Sequence, residues 1–171
     1  MKPARIFISY RRADAGWPVR WLAEWLTSQF GPGAVFLDAD SIRPGDDFAA
    51  KIEAAMGACS VLLVVIGPQW LAAEGTPGRR VGDPKDWVRL EIEIAIKRGI
   101  CVIPVLVNGA RTPSPGELPP SLRALAYRQA VELNPASPDT RRLASVLEDA
   151  LAPEENMTDP RSDQPVAGRP S

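Results

Sequence analysis

From Val61 to Ile66 the chain reads Val-Leu-Leu-Val-Val-Ile, flanked by Cys59-Ser60 and Gly67-Pro68. An aliphatic run of this length with no polar alternation belongs to a β-strand covered on both faces. Such a strand needs helices on either side, and the surrounding sequence supplies them in alternation. A β-rich run over Arg5 to Tyr10 precedes a helical stretch from about Gly16 to Phe30, with Pro18 in its first turn and Gly31-Pro32-Gly33 as its stop. Ala34 to Asp40 reads as a strand and Asp46 to Ala58 as a helix. After the covered strand comes an irregular stretch, Pro68 to Gly82, and then a helix opened by Asp83-Pro84 and closed at Gly99. Ile100 to Asn108 is a strand, Arg128 to Leu133 a fifth, and about Pro138 to Leu151 a last helix. Strand–helix alternation over five units implies a parallel sheet with helices on both faces. Right-handed crossovers favour the flavodoxin-like, doubly wound α/β order 2-1-3-4-5. Residues 1–152 are expected to form one domain, and the polar, Pro-rich residues 153–171 a disordered tail.

Charge and composition narrow the partners. Twenty basic against 21 acidic residues leave a net charge of −1, with no electrostatic footprint for nucleic acid or an anionic membrane. No segment approaches the roughly 20 apolar residues that span a bilayer. Cys59 and Cys101 each open an apolar run and read as buried thiols, which fits a reducing, cytoplasmic setting. The absence of histidine excludes Ser–His–Asp and Cys–His catalysis and His-ligated zinc, and no metal is expected. Chemistry must come from carboxylates, hydroxyls, amines or guanidiniums.

In an open α/β sheet, ligands bind at the carboxyl ends of the strands near the reversal of strand order. The first strand ends there in Ser9-Tyr10-Arg11-Arg12 and the second in Asp38-Ala39-Asp40, followed by the loop Ser41-Ile42-Arg43-Pro44-Gly45-Asp46. Guanidinium forks bind phosphate oxygens in pairs and carboxylates accept from sugar hydroxyls, so this rim suits a ligand with both groups. A solvated loop with scattered ion pairs is the plainer reading. The helix after the third strand is more informative. Val88, Ile92, Ala95 and Ile96 form its sheet-packing stripe, Glu93 takes a solvated position, and Glu91 falls inside the apolar arc one turn from Trp87. A carboxylate placed there is costly unless it is satisfied or functional. With Asp83 as the cap, Glu91 lies about two turns into the helix. No G-x-G-x-x-G or G-x-x-x-x-G-K-[ST] loop is present, which argues against a dehydrogenase or a P-loop enzyme. A two-component receiver is also disfavoured, because the third strand ends in Gly67-Pro68 with no phosphoacceptor aspartate.

Three segments together, Ile6 to Arg12, Phe36 to Asp38 with Ile42 to Gly45, and Asp86 to Ile92, resemble the Toll/interleukin-1 receptor (TIR) domain family over roughly residues 3 to 150. Trp87 to Glu91 looks like the W-x-x-x-E element of its NAD-cleaving members. The resemblance implies NAD+ as substrate, not as cofactor, with Glu91 as the essential carboxylate. Substrate contacts are implied for Ser9, Tyr10, Arg11, Arg12, Asp38, Asp40 and Trp87, and a gating or assembly role for Ile42, Arg43, Pro44 and Gly45. It also implies self-association through TIR–TIR contacts, a sensor or adaptor partner, and defence signalling. The stretch Ala72 to Gly82 is longer than the family's usual one, and its C-terminal Phe-Trp element is missing. Two alternatives stay open: a non-catalytic association module, for which the stripe Trp17, Trp21 and Trp25 on the first helix, ordinarily core at this spacing, would mark the surface if one or two of them are exposed, and a nucleoside deoxyribosyltransferase-like enzyme.

Overall fold

The computed structural model describes residues 6–37, 47–72, 80–134 and 140–152. The expectations for Asp38, Asp40, Ile42, Arg43, Pro44, Gly45 and the 153–171 tail lie outside those residues. Among the described residues there are five strands: β1 (Ile6–Ser9), β2 (Val35–Leu37), β3 (Val61–Ile66), β4 (Cys101–Val107) and β5 (Val131–Leu133). Four α-helices accompany them: α1 (Arg12–Phe30), α2 (Phe48–Met56), α3 (Trp87–Lys97) and α4 (Thr140–Leu151). The sheet is all parallel in the order β2-β1-β3-β4-β5, the flavodoxin-like arrangement that the sequence implies.

The period-two alternation of the central strands divides the core into two layers. On one side Ile6, Ile8, Leu63, Val65, Ile103 and Val105 pack against Leu22 and Leu26 of α1 and Leu143 and Leu147 of α4. On the other, Phe7, Leu62, Val64, Ile66 and Val102 meet Ile52 and Met56 of α2 and Val88, Ile92 and Ala95 of α3. Every residue of β3 is buried, as expected of a strand between two helical layers. Among the described residues no helix is long and apolar enough to cross a membrane.

Three local features differ from the sequence reading. Helix α1 starts at Arg12, so Pro18 lies inside it rather than in its first turn. Proline has no N–H to give the carbonyl four residues back. The freed Asp14 carbonyl accepts instead from Asn108 Nδ2 at 3.2 Å, which ties α1 to the end of β4. Helix α3 starts at Trp87, not at Asp83-Pro84. Asp83 caps only the preceding turn, accepting from Lys85 N at 2.9 Å, and Asp86 is the N-cap, accepting from Arg89 N at 3.2 Å. Glu91 is therefore the fifth residue of α3, one turn in rather than two. Lastly, a 3₁₀ segment over Pro120–Tyr127 covers α3 before β5, where the sequence suggested only a Pro-rich connection.

Candidate active site at the exit of β1

The chain leaves β1 through Arg11, which turns into the protein and is 5% exposed. Its Nε donates to the Trp70 carbonyl at 2.6 Å, and Nη1 and Nη2 donate to the two carboxylate oxygens of Asp86 at 2.8 and 2.7 Å. The guanidinium also lies 5.7 Å from the centre of the Trp70 ring. Both partners of the ion pair are almost fully buried, and Arg80 Nε approaches Asp86 from the surface at 3.6 Å. A bidentate pair of this kind fixes direction as well as distance. Since Asp86 is also the N-cap of α3, one carboxylate fastens the start of that helix to the end of β1.

This clamp sets where Trp87 and Glu91 stand. On one flank of α3, Glu93 accepts from Arg89 Nε at 2.7 Å and from Ser121 Oγ at 2.6 Å. Glu93 is thus bonded to the 3₁₀ segment and is not the solvated residue that the sequence suggested. At about 100° per residue, Glu91 lies some 160° around the helix, on the flank it shares with Trp87. Glu91 has no exposed surface, while Trp87 is half-buried against the α2–α3 layer. Ser9 faces the same layer by strand alternation, paired in register with Val64. Its Oγ is buried and meets no hydrogen-bond partner among the described residues. The structure therefore bonds Arg11 to the start of the helix that carries Trp87 and Glu91, and turns Ser9 toward the same layer. Tyr10 packs instead against the opposite layer, and Arg12 is exposed as the first residue of α1.

Arg11 occupies a different place from the one the sequence suggested. The rim reading put its guanidinium toward a phosphate, whereas all three nitrogens are bonded inside the protein. Sequence reasoning passed over three further residues. Trp70 is fully buried, although it sits in a stretch read as irregular. Asp86 looked like an interior helix residue once Asp83 was taken as the cap. Asp14 sits over the turn after β3, where its Oδ1 accepts from Gln69 N at 2.7 Å. Burial pushes its carboxyl above the ordinary range, against the lowering effects of that hydrogen bond and of Arg11. A glycine at 67 makes the fit possible, since a Cβ there would stand 2.5 Å from the Asp14 Cβ.

The sequence model that describes the TIR domain matches residues 6–147. The chain belongs to the TIR domain family. Solved TIR domains share its fold at low sequence identity. Those of the activated Roq1 resistosome, which directly recognises the pathogen effector XopQ, superpose with a TM-score of 0.58 at 15% identity. That match covers 85% of this chain and 98% of theirs. The TIR domain of the Toll-related receptor TRR-2 from Hydra magnipapillata gives 0.55 at 17% identity, covering 85% and 96%. In this TIR domain, β1, the start of α3 and the Trp87–Glu91 flank form one connected unit. Among its described residues no group of three or more His, Cys, Asp or Glu is placed to hold a metal.

Proposed function

We propose that this TIR domain cleaves NAD+ at its nicotinamide–ribose N-glycosidic bond, with Glu91 as the carboxylate that stabilises the transition state. The observation that carries the reading is a fully buried glutamate one turn from Trp87, on a helix whose start is locked to the end of β1. Burying a carboxylate is expensive, and a leucine or glutamine would serve packing alone at lower cost. Nicotinamide leaves from a cationic ring, so it needs no general acid, whereas O-glycosides usually require two carboxylates. A single carboxylate that holds the ribose hydroxyls and balances the developing oxocarbenium charge is sufficient. Water or an internal adenine nitrogen then captures the ribosyl centre, giving ADP-ribose or a cyclic isomer.

Trp87 packs against the nicotinamide or ribose in this reading, and Ser9 Oγ supplies a hydrogen bond near Glu91. Contact with the pyrophosphate passes to Arg12, since Arg11 acts from inside as the residue that positions α3. Asp38 or Asp40 accepts a sugar hydroxyl, and Ile42 to Gly45 gate the site or join protomers. Tyr10 would reach a substrate only by leaving the α1 side of the sheet.

A second reading, an association module, is favoured by one observation. Trp17 is 54% exposed on α1, while Trp21 and Trp25, the latter pair stacked 6.4 Å apart, are half-buried behind it. An exposed tryptophan on a helix is a natural contact for a second TIR domain, and self-association could switch on the enzyme. The two readings separate on nicotinamide release from NAD+, measured with and without a crowding agent, beside Glu91→Gln of matched thermal stability. Release by the native protein that disappears in Glu91→Gln supports NAD+ cleavage. No release under crowding, or release unchanged by the substitution, rejects it in favour of the module.

A further inference from the structure

Where β1 passes into α1, two opposite charges three residues apart grip one turn. That turn follows β3 over residues 67–70, closed by Trp70 N donating to the Gly67 carbonyl at 3.1 Å. Arg11 Nε donates to the Trp70 carbonyl at 2.6 Å, and Asp14 Oδ1 accepts from the neighbouring Gln69 N at 2.7 Å. Asp14 N also donates to the Arg11 carbonyl at 3.1 Å. The far side of the Arg11 guanidinium holds Asp86, the N-cap of α3. One guanidinium thus lies in the field of two carboxylates, and Arg11, Asp14 and Asp86 are each more than nine-tenths buried.

The charge balance of this group depends on one proton. With Asp14 ionised, two buried carboxylates face one buried guanidinium, and Arg80 approaches Asp86 only from the surface, at 3.6 Å. With Asp14 protonated, Arg11 and Asp86 balance each other. Asp14 is placed to accept that proton, because its Oδ2 is buried and meets no hydrogen-bond partner among the described residues. Burial without a partner favours the neutral form of a carboxyl. Its pKa accordingly lies above the ordinary value, although the Gln69 N–H and Arg11 oppose the rise. The turn and Asn108, which reaches α1 from the end of β4, bring no titratable group to Asp14, so Arg11 is the charge that faces it. The titratable groups on α3 closest to the clamp in sequence are Asp86 itself and the buried Glu91.

We propose that Asp14 is a positioning residue, whose proton sets how firmly Arg11 holds the start of α3 and with it the Trp87–Glu91 flank. Protonation leaves Arg11 wholly to Asp86 and tightens the clamp. Ionisation shares Arg11 between two carboxylates and loosens it. Any consequence for turnover rests on the NAD+ reading, whereas the coupling between Asp14 and α3 does not.

The test follows the indole N–H resonances of Trp70, Trp87 and Trp25 in the full chain as the pH is lowered from 8 to 4, each assigned by its loss in the corresponding Trp→Phe variant. Trp70 reports the turn, Trp87 reports α3, and Trp25 lies in the opposite layer. Trp70 and Trp87 are expected to shift together with one midpoint while Trp25 stays in place. Both shifts should vanish in Asp14→Asn, whose amide oxygen can still accept from Gln69 N but cannot titrate. Both should persist in Glu91→Gln, which separates the Asp14 proton from one on Glu91. No midpoint at Trp87, a Trp87 shift that survives Asp14→Asn, or one that disappears in Glu91→Gln would overturn the proposal. The coupling seen in a protein that never releases nicotinamide supports the role of Asp14 and sinks only the catalytic reading.

Discussion

The two layers of the sheet are built to different rules. The α1–α4 layer has an aliphatic centre, with Leu22, Leu26, Leu63, Leu143 and Leu147 all without exposed surface and Tyr10, Trp21, Trp25 and Phe30 packed at its margin. The α2–α3 layer is just as well buried, yet charged and polar groups lie at its strand end: Arg11, Asp86, Glu91 and the Ser9 hydroxyl. Apolar burial is non-directional and specifies little beyond volume. A buried ion pair adds little net stability but fixes orientation and makes removal of one partner costly. One layer thus holds the fold together, while the other holds a helix at a set angle and buries the Glu91 carboxylate on it.

The largest separation between the layers is expected from Leu63→Ala against Glu91→Gln. Leu63→Ala leaves a cavity in the central strand and should cost about 2–5 kcal/mol in denaturant unfolding, with nicotinamide release per folded molecule unchanged. Glu91→Gln should lose about a hundredfold or more in turnover with no loss of stability. If Leu63→Ala lowered turnover as much as Glu91→Gln does, the division of labour between the layers would not hold.

Arg11→Ala is the next largest and crosses the boundary, because Arg11 belongs to both stability and site geometry. It leaves Asp86 buried, and about 3 kcal/mol is expected, the low end for such a break because Arg80 remains nearby. If Arg11 only positions α3, kcat falls while KM for NAD+ stays within about twofold, since a misplaced Glu91 affects the transition state more than ground-state binding. A rise in KM with kcat unchanged would return Arg11 to the phosphate-binding role that the sequence first suggested.

That change of role shows what a sequence can and cannot disclose here. The aliphatic run of β3, the five strand–helix units and the placement of Glu91 in an apolar arc depend on local periodicity, and the sheet order and the burial of Glu91 agree with them. The start of α3 does not depend on local signals alone. Asp83 and Asp86 are both competent caps, and what selects Asp86 is a guanidinium 75 residues earlier in the chain. The same long-range pair drew Arg11 off the rim and left Trp70 looking like part of a loop. Pro18 was misplaced for a similar reason, since the side chain that replaces its missing hydrogen bond, Asn108, comes from the far end of β4.

Gly67→Ala gives a smaller effect, confined to the strand ends where the two layers meet. The added methyl would press on Asp14 at 2.5–2.9 Å, and about 1–3 kcal/mol of destabilisation is expected from the forced shift. Unchanged stability would show that Asp14 gives way to the added methyl without cost.

The smallest effect is a pH dependence at Asp14. Burial raises its carboxyl pKa above the ordinary value of 3.8, so the folded state holds a proton that the unfolded state releases first. Its contribution to stability is then most favourable below 3.8 and is lost as pH rises through the higher folded value. Ionised Asp14 is consequently a small burden at neutral pH, eased by the Gln69 N–H, which an asparagine oxygen can equally accept. Asp14→Asn should raise Tm slightly at pH 7, and the gain should shrink as the pH is lowered toward 4. A gain that stayed constant with pH would show that Asp14 is not held above its ordinary range. The burial cost would then lie wholly with Arg11, Asp86 and Glu91, leaving the α1 side of the sheet free of it.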